Sequence, residues 1–144
     1  LIGEQVLAAP LVRALKLEAI PTGYLLVESG NTTSVAFMSH SQPLPREKAE
    51  IAVAHALAAE YLGMRMVYLE AGSGALHPVP DEMVLAVRKN VSIPVIVGGG
   101  LRDPETAAAK VTAVAYFIVI GNAIERGMDP ERIGRFAEAI HVKG

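Results

Sequence analysis

Tyr68-Leu69-Glu70-Ala71-Gly72-Ser73-Gly74, Val97-Gly98-Gly99-Gly100 and Ile120-Gly121-Asn122 each follow an apolar run of strand length, and after each the sequence returns to helical character. Glycine lets backbone N–H groups approach a ligand with no side chain in the way, and a following helix N-terminus favours negative charge. Three such turns in consecutive βα units describe a phosphate-holding rim on a parallel-strand α/β protein. They point to an enzyme.

Outward from these turns, the rest of the chain keeps the same rhythm. Residues 4–16 carry Val6, Leu7, Leu11, Val12 and Leu15 at helical spacing, with Pro10 in the middle. Gly23 to Val27 reads as a buried strand, Ser29 to Ser34 as a loop, and Val35 to Ser39 as a short strand or extended segment. A helix is expected from Arg46, after Pro45, to Leu62, before Gly63, with Ile51, Ala54, Ala58, Tyr61 and Leu62 on one face. Met64–Leu69 is the next strand. Asp81 and Glu82 open a helix reaching Asn90, where the dipole favours acidic residues. Ile93–Val97 is a strand, and Asp103-Pro104-Glu105 starts a helix running to Ala113. Tyr116–Ile120 is the last strand. A short turn, Ala123 to Arg126, precedes a closing helix from Asp129-Pro130 with Ile133, Phe136, Ala137 and Ile140 inward.

Alternating strands and helices imply a parallel sheet with helical crossovers. Such units fit a flavodoxin-like sheet or part of a (β/α)8 barrel. A full barrel needs about 250 residues, and the chain has 144. The half-barrel is favoured because barrels hold phosphate on the loops after their last two strands and a short extra helix. Gly98–Gly100, Gly121-Asn122 and Ala123–Arg126 fit that arrangement.

Composition narrows the class. At 51% hydrophobic and 19% charged residues, the chain suits strands buried on both faces. Its mean hydropathy of +0.36 comes from short runs, none near the roughly 18 to 20 residues of a membrane helix. The absence of cysteine excludes disulfides and thiolate metal sites and is compatible with a cytoplasmic location. A net charge of −2, no tryptophan and 5% aromatics offer nucleic acid neither an electrostatic footprint nor stacking platforms. His40, His55, His77 and His141 have no ligand spacing. The opening Leu1-Ile2-Gly3-Glu4-Gln5 has neither an initiator Met nor a signal peptide, and reads as the interior of something larger.

The glycine turns and their neighbours closely resemble the geranylgeranylglyceryl phosphate synthases, archaeal-type prenyltransferases related to the bacterial heptaprenylglyceryl phosphate synthases. The stretches that carry the resemblance are Tyr68 to Gly74, Val97 to Thr106 and Gly121-Asn122, joined by Ile2 to Pro10, Pro21 to Tyr24 and His55 to Gly63. It covers nearly the whole chain.

The resemblance implies a TIM (β/α)8 barrel, with Gly23–Val27 its fifth strand and Tyr116–Ile120 its eighth. Residues 1–144 would be one partial barrel unit, the C-terminal, glycerol-phosphate-binding half. The implied reaction joins sn-glycerol 1-phosphate to geranylgeranyl diphosphate through an ether bond, releasing diphosphate with Mg²⁺. Carried over by position, glycerol phosphate would meet Tyr68, Leu69, Glu70, Ala71, Gly72, Ser73, Gly74, Gly99, Gly100, Gly121 and Asn122, while the metal ligands would lie outside this chain. The family usually shows Gly-Ala-Asp before its last strand, where this chain reads Val114-Ala115-Tyr116.

Glu70 ends an apolar strand, where barrels place chemistry, and is the expected acceptor from the glycerol hydroxyls, assisting their deprotonation. Tyr68 is expected to reach the same substrate. Ser73 could add a hydroxyl to the phosphate. Arg102 either pairs with phosphate or faces solvent beside Asp103 or Glu105. Thr32-Thr33-Ser34 could touch diphosphate. Two rivals share these features: another phosphate-substrate barrel enzyme, and a non-catalytic half-barrel that binds phosphate or self-associates. An isolated four-strand half presents bare sheet edges and an apolar face, which predicts a homo-oligomer.

Overall fold

Four strands, β1 (Thr22–Leu26), β2 (Met66–Glu70), β3 (Val95–Gly98) and β4 (Phe117–Val119), form one parallel sheet in the order β1-β2-β3-β4. The computed structural model describes residues 5–113, 115–121 and 130–141. Six helices accompany the strands among them: α1 (Gln5–Ala14), α2 (Ser34–Ser39), α3 (Ala49–Tyr61), α4 (Asp81–Asn90), α5 (Pro104–Thr112) and α6 (Pro130–Ile140). Because every strand runs the same way, the loops after β1, β2, β3 and β4 all leave one edge of the sheet. The anticipated turn Ala123–Arg126, Asn122 and Val114 lie outside the described residues.

Parallel registry fixes which residues share a face. Leu25, Leu69, Val97 and Ile118 stand in one row, beside Gly23, Val67 and Val95. Val67, Leu69, Val95 and Val97 are fully buried, packed with Val84 and Val87 of α4 and Ala52, Ala56 and Ala59 of α3. The opposite face carries Tyr24, Tyr68, Ile96 and Phe117 in one row, and Leu26, Glu70, Gly98 and Val119 in the next. Among the described residues no helix covers these rows: Tyr24, Phe117 and Val119 are 49%, 50% and 42% exposed.

Several local features differ from the sequence expectation. Residues 34–39 are helical, although Val35 and Phe37 favour strands. The Phe37 N–H donates to Thr33 O at 3.1 Å, and His40 closes the turn in the left-handed region, so local bonding prevails where no strand is alongside. The long helix begins at Ala49, after a turn in which the Lys48 N–H donates to Pro45 O. Its buried stripe is Ala52, Ala56 and Ala59, while Tyr61 and Leu62 are exposed. Apolar residues fall on every side of this helix, so hydrophobicity could not select a face, and small alanines let it approach the sheet closely. In α6 only Phe136 is buried, and Ile133 is exposed.

The free edge of β1 is not bare along its length. The Leu44 N–H donates to Leu26 O and the Glu28 N–H to Leu44 O, so the segment around Leu44 runs parallel beside the end of the strand. Helix α1, by contrast, buries none of its residues.

Candidate functional site

Glu70 ends β2 on the uncovered face and is nonetheless buried. One carboxylate oxygen, Oε1, accepts the Gly72 N–H at 2.6 Å, which turns the side chain back under its own loop. Tyr68, two residues earlier and so on the same face, donates its hydroxyl to the Glu70 carboxylate. Both groups lie over Gly98 of the neighbouring strand. A Cβ there would collide with the Tyr68 hydroxyl and sit 3.1 Å from Glu70 Oε2, so only glycine leaves room for the pair.

Burial raises the Tyr68 phenol well above the ordinary tyrosine range, and the hydrogen bond to Glu70 and the charge of that carboxylate raise it further. Tyr24, which the sequence did not single out, faces Tyr68 edge-on with ring centroids 5.2 Å apart and planes at 80°. Its phenol is pushed up to about 12, first by burial and then by the charge of Glu70. The available signal was registry: Tyr24 stands two residues before the end of β1, as Tyr68 does in β2. The site therefore holds two neutral phenols beside one ionisable carboxyl. Next to Tyr24, Leu26, Val35, Leu44 and His55 contribute to the walls of a cavity of about 270 Å³.

The glycine turns meet at this edge. The Ala71 N–H donates to Gly98 O at 3.0 Å, extending the ladder past β2. Gly99, at φ +82°, packs against the next loop so tightly that a Cβ would lie 2.6 Å from both Gly72 N and Glu70 Oε1. In the first loop several donors are already used. Ala71 bonds to Gly98, Gly72 to Glu70, Ala75 to Gly72 O, Leu76 to Asn31 Oδ1 and His77 to Ser29 O. Among the described residues, nothing accepts from the N–H groups of Ser73, Gly74, Gly99 and Gly100. Those four main-chain donors, on two adjoining loops, are what the site can offer an anion.

Other expected residues fall differently. The side chain of Leu69 is in the helix-covered core, so it acts there as packing, and Ala71 is likewise buried. Ser73 is exposed on the loop. Gly121 follows β4 at the same edge, with open space where a Cβ would stand, and Asn122 lies outside the described residues. Thr33 is buried against Gly72 rather than exposed in the loop beside it. Arg102 is exposed, as one of its expected alternatives had it, and its Nη2 donates to Ala75 O at 2.9 Å rather than pairing with Asp103 or Glu105. Lys110 is buried, donating to Val79 O at 2.6 Å and pairing with Asp81.

This donor set does not fit Mg²⁺. Glu70 is the carboxylate of the site and already accepts from Gly72 and Tyr68. Among the described residues, no three His, Asp or Glu side chains gather as ligands.

The chain matches the PcrB family over residues 1–140. It is 52% identical over 129 residues to the geranylgeranylglyceryl phosphate synthase of Korarchaeum cryptofilum, an alignment spanning 90% of this chain and 53% of that protein. With the enzyme of the same name from Spirosoma linguale the identity is 46% over 140 residues, or 97% of this chain and 55% of the relative. Among solved structures, (S)-3-O-geranylgeranylglyceryl phosphate synthase from Thermoplasma acidophilum, crystallised with its substrate sn-glycerol-1-phosphate, matches with a TM-score of 0.90 and 41% identity. That match covers 97% of this chain and 56% of the crystallised one, so the chain spans about half the length of its relatives. The BexX/CysO complex of Amycolatopsis orientalis, at TM-score 0.63 and 18% identity, shares the fold alone. The four parallel strands and their helices are half of a (β/α)8 barrel.

Proposed function

This chain belongs to the PcrB family, and we propose that it is the glycerol-phosphate-binding, C-terminal half of a geranylgeranylglyceryl phosphate synthase. The observation that carries the reading is the juxtaposition of Glu70 with the two adjoining glycine loops. A small dianion with hydroxyls attached needs both parts, main-chain donors for its phosphate and a fixed acceptor for its alcohol.

In this reading the N–H groups of Ser73, Gly74, Gly99 and Gly100 grip the phosphate of sn-glycerol 1-phosphate, with Gly121 and Asn122 completing the rim. Main-chain amides bind such a group without a lysine. Glu70, held by Gly72, accepts a hydrogen bond from a glycerol hydroxyl. As the allylic carbon–oxygen bond of geranylgeranyl diphosphate breaks, the glycerol oxygen forms the new ether bond. Its proton passes to Glu70, and diphosphate leaves. Tyr68 stays protonated and keeps the carboxylate oriented by donating to it. The apolar face around Tyr24, Ile96 and Phe117 lies where an isoprenoid chain could be shielded from water.

The rest of the barrel would close over that face, and the enzyme would act in the cytoplasm. No helix among the described residues is long and apolar enough to cross a membrane.

Titrating this chain with glycerol 1-phosphate, with and without Mg²⁺, tests the binding half of the proposal. Saturable binding is expected, and absence of binding under both conditions contradicts it. In the full-length protein, Glu70→Gln should lower turnover by about 10²-fold or more, the range of a lost general base. Wild-type turnover in that variant removes Glu70 from the chemistry. A different phosphate-substrate barrel enzyme would bind the anion but show no transfer from a prenyl diphosphate.

A further inference from the structure

The four donors proposed to hold phosphate sit in two loops that follow different strands, so their spacing depends on what ties those loops together. Close to the sheet the tie is main chain: Ala71 N–H to Gly98 O, with Gly99 seated on Gly72. Farther out, Gly100 packs on the backbone of His77 and Pro78, and one side chain also crosses to the turn that carries Ser73 and Gly74. Arg102, two residues beyond Gly100, reaches back across the gap and donates from Nη2 to Ala75 O at 2.9 Å.

Both ends of that strap are anchored. Ala75 is buried, and its N–H donates to Gly72 O at 3.1 Å, closing the turn that presents Ser73 and Gly74. Arg102 is fixed at its own backbone, where its carbonyl accepts from Arg132 Nη2 of α6 at 2.8 Å. The next residue, Asp103, caps α5 by accepting from the Thr106 N–H at 2.7 Å. A planar guanidinium with several donors in fixed directions holds such a carbonyl with less freedom than an ammonium would.

We propose that Arg102 is a positioning residue for the phosphate site: it does not touch the anion but sets the distance between the Ser73–Gly74 donors and the Gly99–Gly100 donors. The inference rests on the anion-binding reading above and assigns it a residue outside the glycine turns. A guanidinium committed to Ala75 O in the ligand-free protein preorganises the turn before any ligand arrives, and ordering the site in advance is what raises affinity.

The test uses Arg102→Met, which keeps much of the side-chain volume and loses the donors, and Arg102→Lys, which keeps the charge and one donor group. Hydrogen exchange is first followed without ligand. The amides of residues 72–75 should exchange several-fold faster in Arg102→Met, with β2 and β3 unchanged and Arg102→Lys intermediate. Affinity for glycerol 1-phosphate should then fall about three- to tenfold in Arg102→Met, the scale of one lost hydrogen bond. In the full-length protein KM for glycerol 1-phosphate should rise by that factor with kcat nearly constant. Unchanged ligand-free exchange, or an unchanged affinity, overturns the proposal. Full recovery by Arg102→Lys also overturns it, since charge alone would then suffice. If wild-type protein binds no glycerol phosphate, the functional reading fails, whereas the ligand-free exchange still judges the strap by itself.

Discussion

The two faces of the β1–β4 sheet differ in every respect that alternation permits. The helix-covered face presents glycine, leucine, valine and isoleucine, with no polar side chain among them. The open face carries Thr22, Tyr24, Tyr68 and Glu70 as well as apolar residues, with Glu70 at the end where the glycine loops leave. Successive residues of a strand point to opposite sides. One side can therefore be optimised for burial while the other takes an ionisable carboxyl, and neither choice disturbs the other. The packed core lies on one surface of the sheet and the proposed site on its reverse.

The sharpest way to break this contrast is to cut matched side chains from the two surfaces. Leu69→Ala removes a fully buried side chain of the covered face and should cost about 2–5 kcal/mol in urea unfolding. Phe117→Ser, on the half-exposed side, should cost no more than about 0.5 kcal/mol, as surface changes do. Equal losses from the two variants would show that the open face is part of the folding core after all.

Association tests the same contrast at the level of the whole molecule. The exposed residues Phe117 and Val119 on the open face, and the edge of β4 that no described strand pairs, should make the isolated chain self-associate. In sedimentation experiments Phe117→Ser with Val119→Ser should move the population toward monomer. A wild-type chain that stays monomeric over a wide concentration range speaks against a sticky face. The β1 edge contributes less, because the Leu44 segment already covers its end.

A smaller effect concerns the loop that carries the proposed strap. The Asp103 carboxyl is held below the ordinary carboxylate range, chiefly by the Thr106 hydroxyl and then by its N–H. A depressed folded value means that its stabilisation is fully present above the unfolded value and is lost as pH falls through the folded one. Asp103→Ala should cost about 1 kcal/mol at neutral pH, and the difference from wild type should shrink in acid. A gap that stays constant down to pH 2 would mean that the cap does not act through its charge.

Much of this architecture could be read from the chain alone, for physical reasons. Strands buried beneath helices must be continuous apolar runs, and their punctuation by Gly63, Gly72 and Gly98 is unambiguous, so the βα rhythm and the four strands stood out. The carboxylate at the end of β2 was equally visible, because Glu70 interrupts such a run. What escaped detection depends on tertiary partners. The buried stripe of α3 could not be found in a helix with apolar residues on every side. Residues 34–39 turned helical through local bonds that strand propensities do not describe. Arg102 read as a phosphate partner or a solvent-facing residue, and its bond to Ala75 O depends on a loop that only folding brings beside it. Tyr24 became part of the site only through its register with Tyr68.

The weakest of the expected effects bears on how open the open face really is. Tyr24 is half-exposed, yet its phenol is pushed up to about 12, with burial the larger cause and Glu70 the smaller. Tyr68 lies higher still for the same leading reason. A value raised in the folded state leaves stability intact below the unfolded value of about 10 and erodes it as pH climbs through the folded one. Alkaline difference spectroscopy should therefore show two phenols ionising late, with unfolding beginning in the same range. Glu70→Gln removes one cause for each residue and leaves burial in place, so both should move down only in part. A complete return to the ordinary tyrosine range in that variant would mean that charge, not burial, rules this end of the sheet. Tyr24 and Tyr68 would then stand in water like the rest of their face, and the proposed alcohol-binding niche would lose the dry wall against which Glu70 is set.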